Sequence, residues 1–299
     1  MKELHPAPFA AELHPLFVSL GVPTLTNHYH VILATTLTCN VIFQISRTIS
    51  PYLFPKSFAR MKGYQKTSFH IHVVSFLHAA ILCTFSFPLF WNETLMADHV
   101  FGYDPNATDI HSLATGYFLW DAFTALKYHK DQGIGMVMHG VCAFTVFILS
   151  YRPFINYYGA VFIMFELSTI FLNINWFMDK LGYTGSKAQL INGIILLSAF
   201  FGVRVIFGTY MSYWTFVDIF AAKHLVPTWL TSIYLAANTV HNILNYYWFY
   251  LMIKMLAKRF PKKLPAKVNS TQAVCNGELV EETIEGLQVL EAKEKSKDK

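Results

Sequence analysis

Residues Gly116–Trp176 read GYFLWDAFTALKYHKDQGIGMVMHGVCAFTVFILSYRPFINYYGAVFIMFELSTIFLNINW. Three apolar runs follow one another, and each carries an ionisable residue: Asp121, His139 and Glu166. An Asp at the centre of a membrane helix costs about 2.5–3.5 kcal/mol on the insertion scale, so each of these groups requires a partner or a task.

The surrounding composition agrees with a membrane setting. Of 299 residues, 54% are apolar, 16% aromatic and only 14% charged, too greasy a mixture for a soluble domain of this size. The expected fold class is all-α, a polytopic bundle of transmembrane helices. The net charge of +5 does not indicate nucleic acid, because the Lys and Arg residues lie between apolar runs rather than clustering on one folded face. Cys39, Cys83 and Cys142 sit inside apolar runs and Cys275 in a polar tail, so no disulfide framework is expected. The first 26 residues hold Glu3, Glu12 and four prolines without a compact apolar core, and no cleavable signal peptide is read there.

A hydrocarbon core of about 30 Å needs roughly 20 helical residues. About seven stretches qualify, near 27–46, 69–91, 111–128, 134–151, 154–177, 188–210 and 226–255. The turn at Arg152 and Pro153 is so short that the fourth and fifth spans are expected to form an antiparallel hairpin. The loop Arg47–Lys66, the turns at Lys127 and Lys130 and at Lys180 and Lys187, and the segment from Lys254 to Lys267 concentrate positive charge on one side. The positive-inside rule then predicts a lumenal amino terminus and a cytoplasmic carboxyl terminus. Sequons at Asn92 and Asn106 fall on the predicted lumenal side and a third at Asn269 on the cytoplasmic side, which makes Asn92 and Asn106 the expected glycosylation sites. The chain thus divides into a lumenal segment 1–26, a first helix with its cytoplasmic loop 27–59, a helical bundle 60–257 and a cytoplasmic tail 258–299. The tail is too polar to bury a core and is expected to be disordered, apart from a short helix near Glu281–Ala292. Lys295 and Lys297 near its end match a dilysine retrieval signal read by coat proteins, which predicts residence in the endoplasmic reticulum membrane.

Helical spacing gathers the polar residues into stripes. Tyr117, Asp121, Thr124 and Tyr128 share one face of the third span. Glu166, Thr169, Asn173 and Trp176 share one on the fifth, and Asn238, His241, Asn242 and Asn245 one on the last. Such stripes are expected to face a common interior rather than lipid. At 1.5 Å per residue, Asp121 and His139 lie about 10 and 8 Å from the cytoplasmic ends of their helices. Glu166 lies at about 16 Å, His241 at about 21 Å and Arg204 at about 24 Å. Two layers follow: Asp121 orienting His139, the arrangement of a base or nucleophile, and above them Glu166 neutralised by Arg204, with His241. His70 and His72 are read as interfacial and His78 as interior. No metal is expected, since no His-x-x-Glu-His or related ligand spacing occurs, and no cofactor is implied.

At these residues the chain resembles the TLC-domain membrane proteins, a group that includes the ceramide synthases and the translocating-chain-associated membrane proteins. The likeness rests on Gly116-Tyr117-x-x-x-Asp121, Met136-x-x-His139, Glu166-Leu-Ser-Thr169-x-Phe171-x-Asn173-x-x-Trp176 and Arg204-x-x-x-Gly208, and covers roughly residues 60–255. The Glu-Leu-Ser-Thr stretch looks like the branch of TLC domain-containing protein 4 rather than the synthases. For the synthases the family implies two adjacent histidines and an aspartate pair acting on acyl-CoA and a long-chain base. His139 matches the first histidine; Gly140 replaces the second, and Glu166 and Thr169 replace the aspartates. The resemblance therefore implies a lipid-handling protein that holds a lipid or acyl chain in a polar intramembrane cavity and contributes to membrane lipid homeostasis. Acyl transfer from acyl-CoA with His139 and Asp121 as catalytic residues is the alternative, and a cargo or translocation helper a lesser one. The signatures of a G-protein-coupled receptor are missing, since the third span ends Lys127-Tyr-His129 rather than Asp-Arg-Tyr, its start has no cysteine for a loop disulfide and the last lacks Asn-Pro-x-x-Tyr, so that reading ranks below the others.

Overall fold

A computed structural model describes residues 7–259 and is helical throughout them, without strands. The retrieval lysines Lys295 and Lys297, the sequon at Asn269 and the tail from residue 260 lie outside the described residues. In chain order the helices are α1 (Ala10–Ser19), α2 (Tyr29–Leu53), α3 (Pro55–Arg60), α4 (Tyr64–Ser86, extended by a 3-10 turn over Phe87–Trp91), α5 (Glu93–Ala97), α6 (Pro105–Lys127) and α7 (His129–Gln132). Then come α8 (Ile134–Leu149), α9 (Asn156–Ile163), α10 (Glu166–Lys180), α11 (Lys187–Phe200), a π-helical segment (Phe201–Phe207), α12 (Gly208–Ala222) and α13 (Thr228–Arg259).

Among the described residues, four helical stretches are long and apolar enough to cross a membrane: Tyr29–Leu53, Tyr64–Trp91, Asn156–Lys180 and Lys187–Ala222. Ile134–Leu149 is a shorter apolar helix. The remaining two expected spans, α6 and α13, carry more polar residues, and for α6 the packing gives the reason. It lies against α2, α4, α8 and α9, and most of its side chains are buried, from Ala107 and Thr108 through Asp121 and Thr124. A helix wrapped by protein rather than lipid needs no apolar surface. Its contact with α2 is close enough that a Cβ on Gly116 would stand 2.5 Å from the Ile32 carbonyl oxygen and 2.7 Å from Thr35 Cβ. The Thr36 hydroxyl takes up the opportunity and donates to the Gly116 carbonyl at 2.8 Å. Small residues permit this approach of backbones, a device common in membrane bundles.

The ends of α6 differ from the expected span. The helix starts at Pro105, six residues before the expected 111, because the Asp104 carboxylate caps it by accepting from the Ala107 amide at 2.7 Å. Just beyond, the amino-terminal ends of α2 and α6 are tied by a buried chain. The Tyr103 hydroxyl meets His28 Nε2 at 2.9 Å, and His28 Nδ1 meets the Asp109 carboxylate at 2.7 Å. Burial pushes the Tyr103 phenol above its ordinary range, so it stays protonated and donates to Nε2, leaving Nδ1–H for Asp109.

The expected hairpin of the fourth and fifth spans is not formed. Helix α8 packs between α6 and α13, whereas α10 packs between α4 and α11. At the junction Ile155 takes a left-handed conformation (φ 64°) and its amide donates to the Val100 carbonyl at 2.6 Å, which aims α9 across α6 instead of back along α8. The fifth span is also not one helix, since α9 stops at Ile163 and α10 begins at Glu166. The sixth runs beyond the expected residue 210 to Ala222, continuous through the π segment. One apolar cluster, including Val74, Leu82, Ala114, Phe118, Ala143 and Phe147, joins α4, α6 and α8. A second, including Tyr158, Met211, Ile219, Leu230 and Tyr234, joins α9, α12 and α13.

Candidate functional site

Arg204 is the hub of the bundle interior. It sits in the π-helical segment and is 5% exposed. Its Nε donates to the Ser168 hydroxyl at 2.9 Å and to the Phe165 carbonyl at 3.2 Å, Nη1 to Asn245 Oδ1 at 3.3 Å and Nη2 to the Thr169 hydroxyl at 3.1 Å. The Phe165 and Phe200 rings stand 5.4 and 5.2 Å from the guanidinium carbon, in cation–π range. The Glu166 carboxylate lies 3.9 Å from Nη2, an ion pair longer than a hydrogen bond, and Thr169 links the two by bonding Glu166 as well. Two irregularities make this possible. The break between α9 and α10 puts the Phe165 carbonyl at the start of α10, where it accepts from the Ser168 amide and hydroxyl as well as from Arg204, and it places Glu166 in the first turn, where the helix dipole favours an anion. The π segment widens the turn around Arg204, as such bulges do at functional sites.

Sequence spacing brings Glu166, Thr169, Arg204 and Asn245 together, and the structure joins them directly. It does not join Asp121 to His139. Helix α8 lies between two neighbours, and adjacent helical residues point about 100° apart. Gly140 therefore faces α6, where a Cβ would come 3.1 Å from Asp121 Oδ2 and from the Ala122 Cα, while His139 faces α13. The His139 ring stands 5.1 Å from that of His241 and 5.6 Å from that of Trp248, and its Nδ1 is buried without a hydrogen bond. Equal depth along the bundle axis is real, but the two side chains leave α8 and α6 in different directions. Asp121 is instead buried within electrostatic reach of Glu166.

The His139 and His241 pair opens on a cavity of about 90 Å³. Glu166, Asn238, Asn242 and Ser212 line its polar part. Phe118, Phe147, Phe162 and Phe165 give it an apolar wall, and Tyr158, Thr215 and Tyr234 also line it. Within the polar part, Asn242 Nδ2 donates to the Ser212 hydroxyl at 2.9 Å and to Asn238 Oδ1 at 2.8 Å. His241 Nδ1 lies 2.9 Å from the Ala237 carbonyl; since a carbonyl only accepts, the proton sits on Nδ1 and Nε2 keeps its lone pair. That is the tautomer a general base requires.

A second polar file approaches the same hub from α4. His72 bonds Asn173 Oδ1 at 2.6 Å and stacks on Trp176 with 4.2 Å between ring centres. Asn173 Nδ2 donates to the Ser75 hydroxyl at 3.1 Å, and Ser75 in turn bonds Tyr117, whose ring stacks on His78 at 3.7 Å. His72, half-buried, thus turns inward to Asn173. His70 is buried and bonds the Ser46 hydroxyl at 2.8 Å. Helices α2 and α10 cover that face of α4. Ser168, Ser212 and Ser75 belong to the network but carry no sequence signal, being small, common and uncharged. Thr124 is buried on α6 and forms none of these bonds. Asn92 caps α5 by accepting from the Leu95 amide at 3.0 Å, and Asn106 is exposed in the first turn of α6. Among the described residues no group of three His, Cys, Asp or Glu side chains is arranged to hold a metal ion, and Cys39, Cys83 and Cys142 are free thiols.

Comparison with known proteins places this architecture. The family model described as the TLC domain matches residues 68–254, more than half of the chain. An uncharacterized TLC domain-containing protein of Schizosaccharomyces pombe is 36% identical over 274 residues, covering 90% of this chain and 94% of the relative. Topoisomerase I damage affected protein 4 of Saccharomyces cerevisiae is 28% identical over 249 residues, 80% of this chain and 87% of its own length. TLC domain-containing protein 4 of Homo sapiens is 29% identical over 170 residues, 55% of this chain and 62% of the human protein. The model match spans the helices α8 to α13 that build the Arg204 hub and its cavity, and the chain belongs to the TLC-domain family of membrane proteins.

Proposed function

We propose that the protein binds a lipid or acyl chain in the cavity beside His139 and His241 and contributes in this way to the lipid composition of the endoplasmic reticulum membrane. The observation that carries the proposal is the cavity itself. A polar end at Glu166, His241 and Asn242 suits a head group, and the phenylalanine wall suits a chain. In this reading seven passes cross the membrane, namely α2, α4, α6, α8, α9 with α10, α11 with α12, and α13. The amino terminus is lumenal and the carboxyl terminus cytoplasmic, as the distribution of Lys and Arg supports. Helix α8 suffices for a pass because its 16 residues give about 24 Å and its neighbours α6 and α13 cover it. The lysines at 295 and 297 support retention in the endoplasmic reticulum by coat-protein recognition.

The test is mass spectrometry of lipids that co-purify with the full chain in mild detergent. A defined lipid class is expected with the native protein and is expected to be lost from Thr215→Leu and Ala237→Phe, which fill the cavity. Recovery of the same lipids from both filled variants would refute the site.

One observation favours a second reading, acyl transfer from acyl-CoA to a lipid amine or hydroxyl. His241, with its proton held on Nδ1 by Ala237, presents Nε2 as a base in the cavity wall, 5.1 Å ring to ring from His139. Turnover of labelled acyl-CoA that disappears in His241→Gln would support it. Lipid binding without turnover would leave the binding function alone.

A further inference from the structure

Far from this cavity, at the end of the bundle that carries the Arg47–Lys66 loop, a second concavity opens among α2, α3 and the start of α4. Arg47, Lys66, Thr67, His70, Phe43 and Phe58 are among its lining residues, and Tyr128 closes one side. The sequence holds no Asp or Glu between Glu12 and Glu93, so no carboxylate from these three elements neutralises the two cations. Among the described residues Arg47 bonds Gln44 through Nη1 at 3.3 Å, and the Lys66 ammonium has no hydrogen-bond or ion-pair partner. His70 is 5% exposed; Nδ1 is engaged by Ser46, and the ring lines the concavity. Lys66 and Thr67 lie in the first turn of the 23-residue helix α4, which has no side-chain cap, so its positive end adds to the field of Arg47 and Lys66.

We propose that this concavity binds the phosphate of a membrane lipid head group. Two cations without a carboxylate partner and an uncapped helix start supply the positive charge and the donors an anionic phosphate requires, and the His70 ring lines the same concavity. The flank identifies a lipid rather than a soluble phosphate as the source: Tyr52 and Leu53 at the end of α2 are exposed beside the site, and Phe43 and Phe58 line it, so acyl chains have apolar surface to follow. The basic residues at a membrane surface attract such lipids from the bilayer itself.

The test is a titration of the purified full chain in detergent micelles with dihexanoyl phosphatidate, coenzyme A and inorganic phosphate, read by thermophoresis. Each Lys or Arg near a membrane surface contributes about 1 kcal/mol, so the double variant Arg47→Gln, Lys66→Gln is expected to bind phosphatidate roughly 30-fold more weakly. The double variant Lys56→Gln, Lys62→Gln removes the same charge from exposed positions outside the lining and is expected to change the affinity less than threefold, about 0.6 kcal/mol. Equal weakening by both doubles, or none by the first, overturns the site. Coenzyme A or inorganic phosphate binding as tightly as phosphatidate overturns the lipid assignment.

Discussion

Removing Arg204 and removing Glu166 are not equivalent perturbations, although the two form one ion pair. Both side chains are less than a tenth exposed. In Arg204→Met the Glu166 carboxylate loses its counter-charge, and Ser168, Thr169, Asn245 and the Phe165 carbonyl lose a common donor. Breaking a buried pair in this way costs about 3–5 kcal/mol. In Glu166→Gln the guanidinium keeps all four of those acceptors and both aromatic rings. What disappears is a contact of 3.9 Å, already too long for a hydrogen bond. A loss of about 1–2 kcal/mol is expected there, near the value of a single polar interaction. The double variant Arg204→Met, Glu166→Gln removes both charges and is expected to recover at least about 1 kcal/mol relative to additivity. Unfolding of the purified variants in mixed micelles of mild and denaturing detergent, followed by tryptophan fluorescence, measures all three. Equal losses for the two single variants, or strict additivity, would refute the placing of Arg204 as the hub.

Four other outcomes are expected. Gly116→Ala forces α2 and α6 apart, since its Cβ would lie 2.5 Å from a backbone oxygen, and is expected to lower stability by about 1–3 kcal/mol in the same assay. Gly140→His, which restores the histidine pair of the synthases, is expected to lower the yield of folded protein without creating acyl transfer, because Asp121 and the α6 backbone already stand 3.1 Å from the position of a Cβ; a well-folded, active variant would contradict this. Endoglycosidase treatment of protein made in cells is expected to shift its mobility through Asn92 in preference to Asn106, whose sequon partner Thr108 is buried and bonded to the Asp104 carbonyl; a shift that survives Asn92→Gln unchanged would be the opposite result. Replacing Lys295 and Lys297 by Ser is expected to release the protein from the endoplasmic reticulum, visible by microscopy as surface or Golgi signal.

The helical architecture was legible because apolar runs and polar stripes have a helical period. The pairing of Glu166 with Arg204 followed from depth, since the two lie about 8 Å apart along the axis, within reach of an Arg side chain. Depth does not give direction, however. Asp121 and His139 share a level, and only the seating of α8 between α6 and α13 decides that Gly140, not His139, faces Asp121. The expected hairpin fails for a related reason. A short turn brings two helix ends together but does not hold two helices side by side when the second one is aimed away by Ile155 and broken at Met164 and Phe165. The partners of His70 and His72 escape a depth argument because Ser46 and Asn173 come from α2 and α10, distant parts of the chain.

The π segment has a consequence for how this chain tolerates change. Each α-helical residue turns by about 100°, and a π turn holds one residue more than the α ladder would. Deleting one residue of Phe201–Phe207 other than Arg204 would therefore return the segment to α-helix and leave α12 in its present orientation, with Ser212 and Thr215 still lining the cavity. The widened turn around Arg204 is what such a deletion would remove. Related chains that differ by a single gap in this stretch would keep the wall that α12 gives the cavity and lose the bulge that seats the guanidinium, so the length of seven residues bears on the Arg204 hub rather than on the chamber.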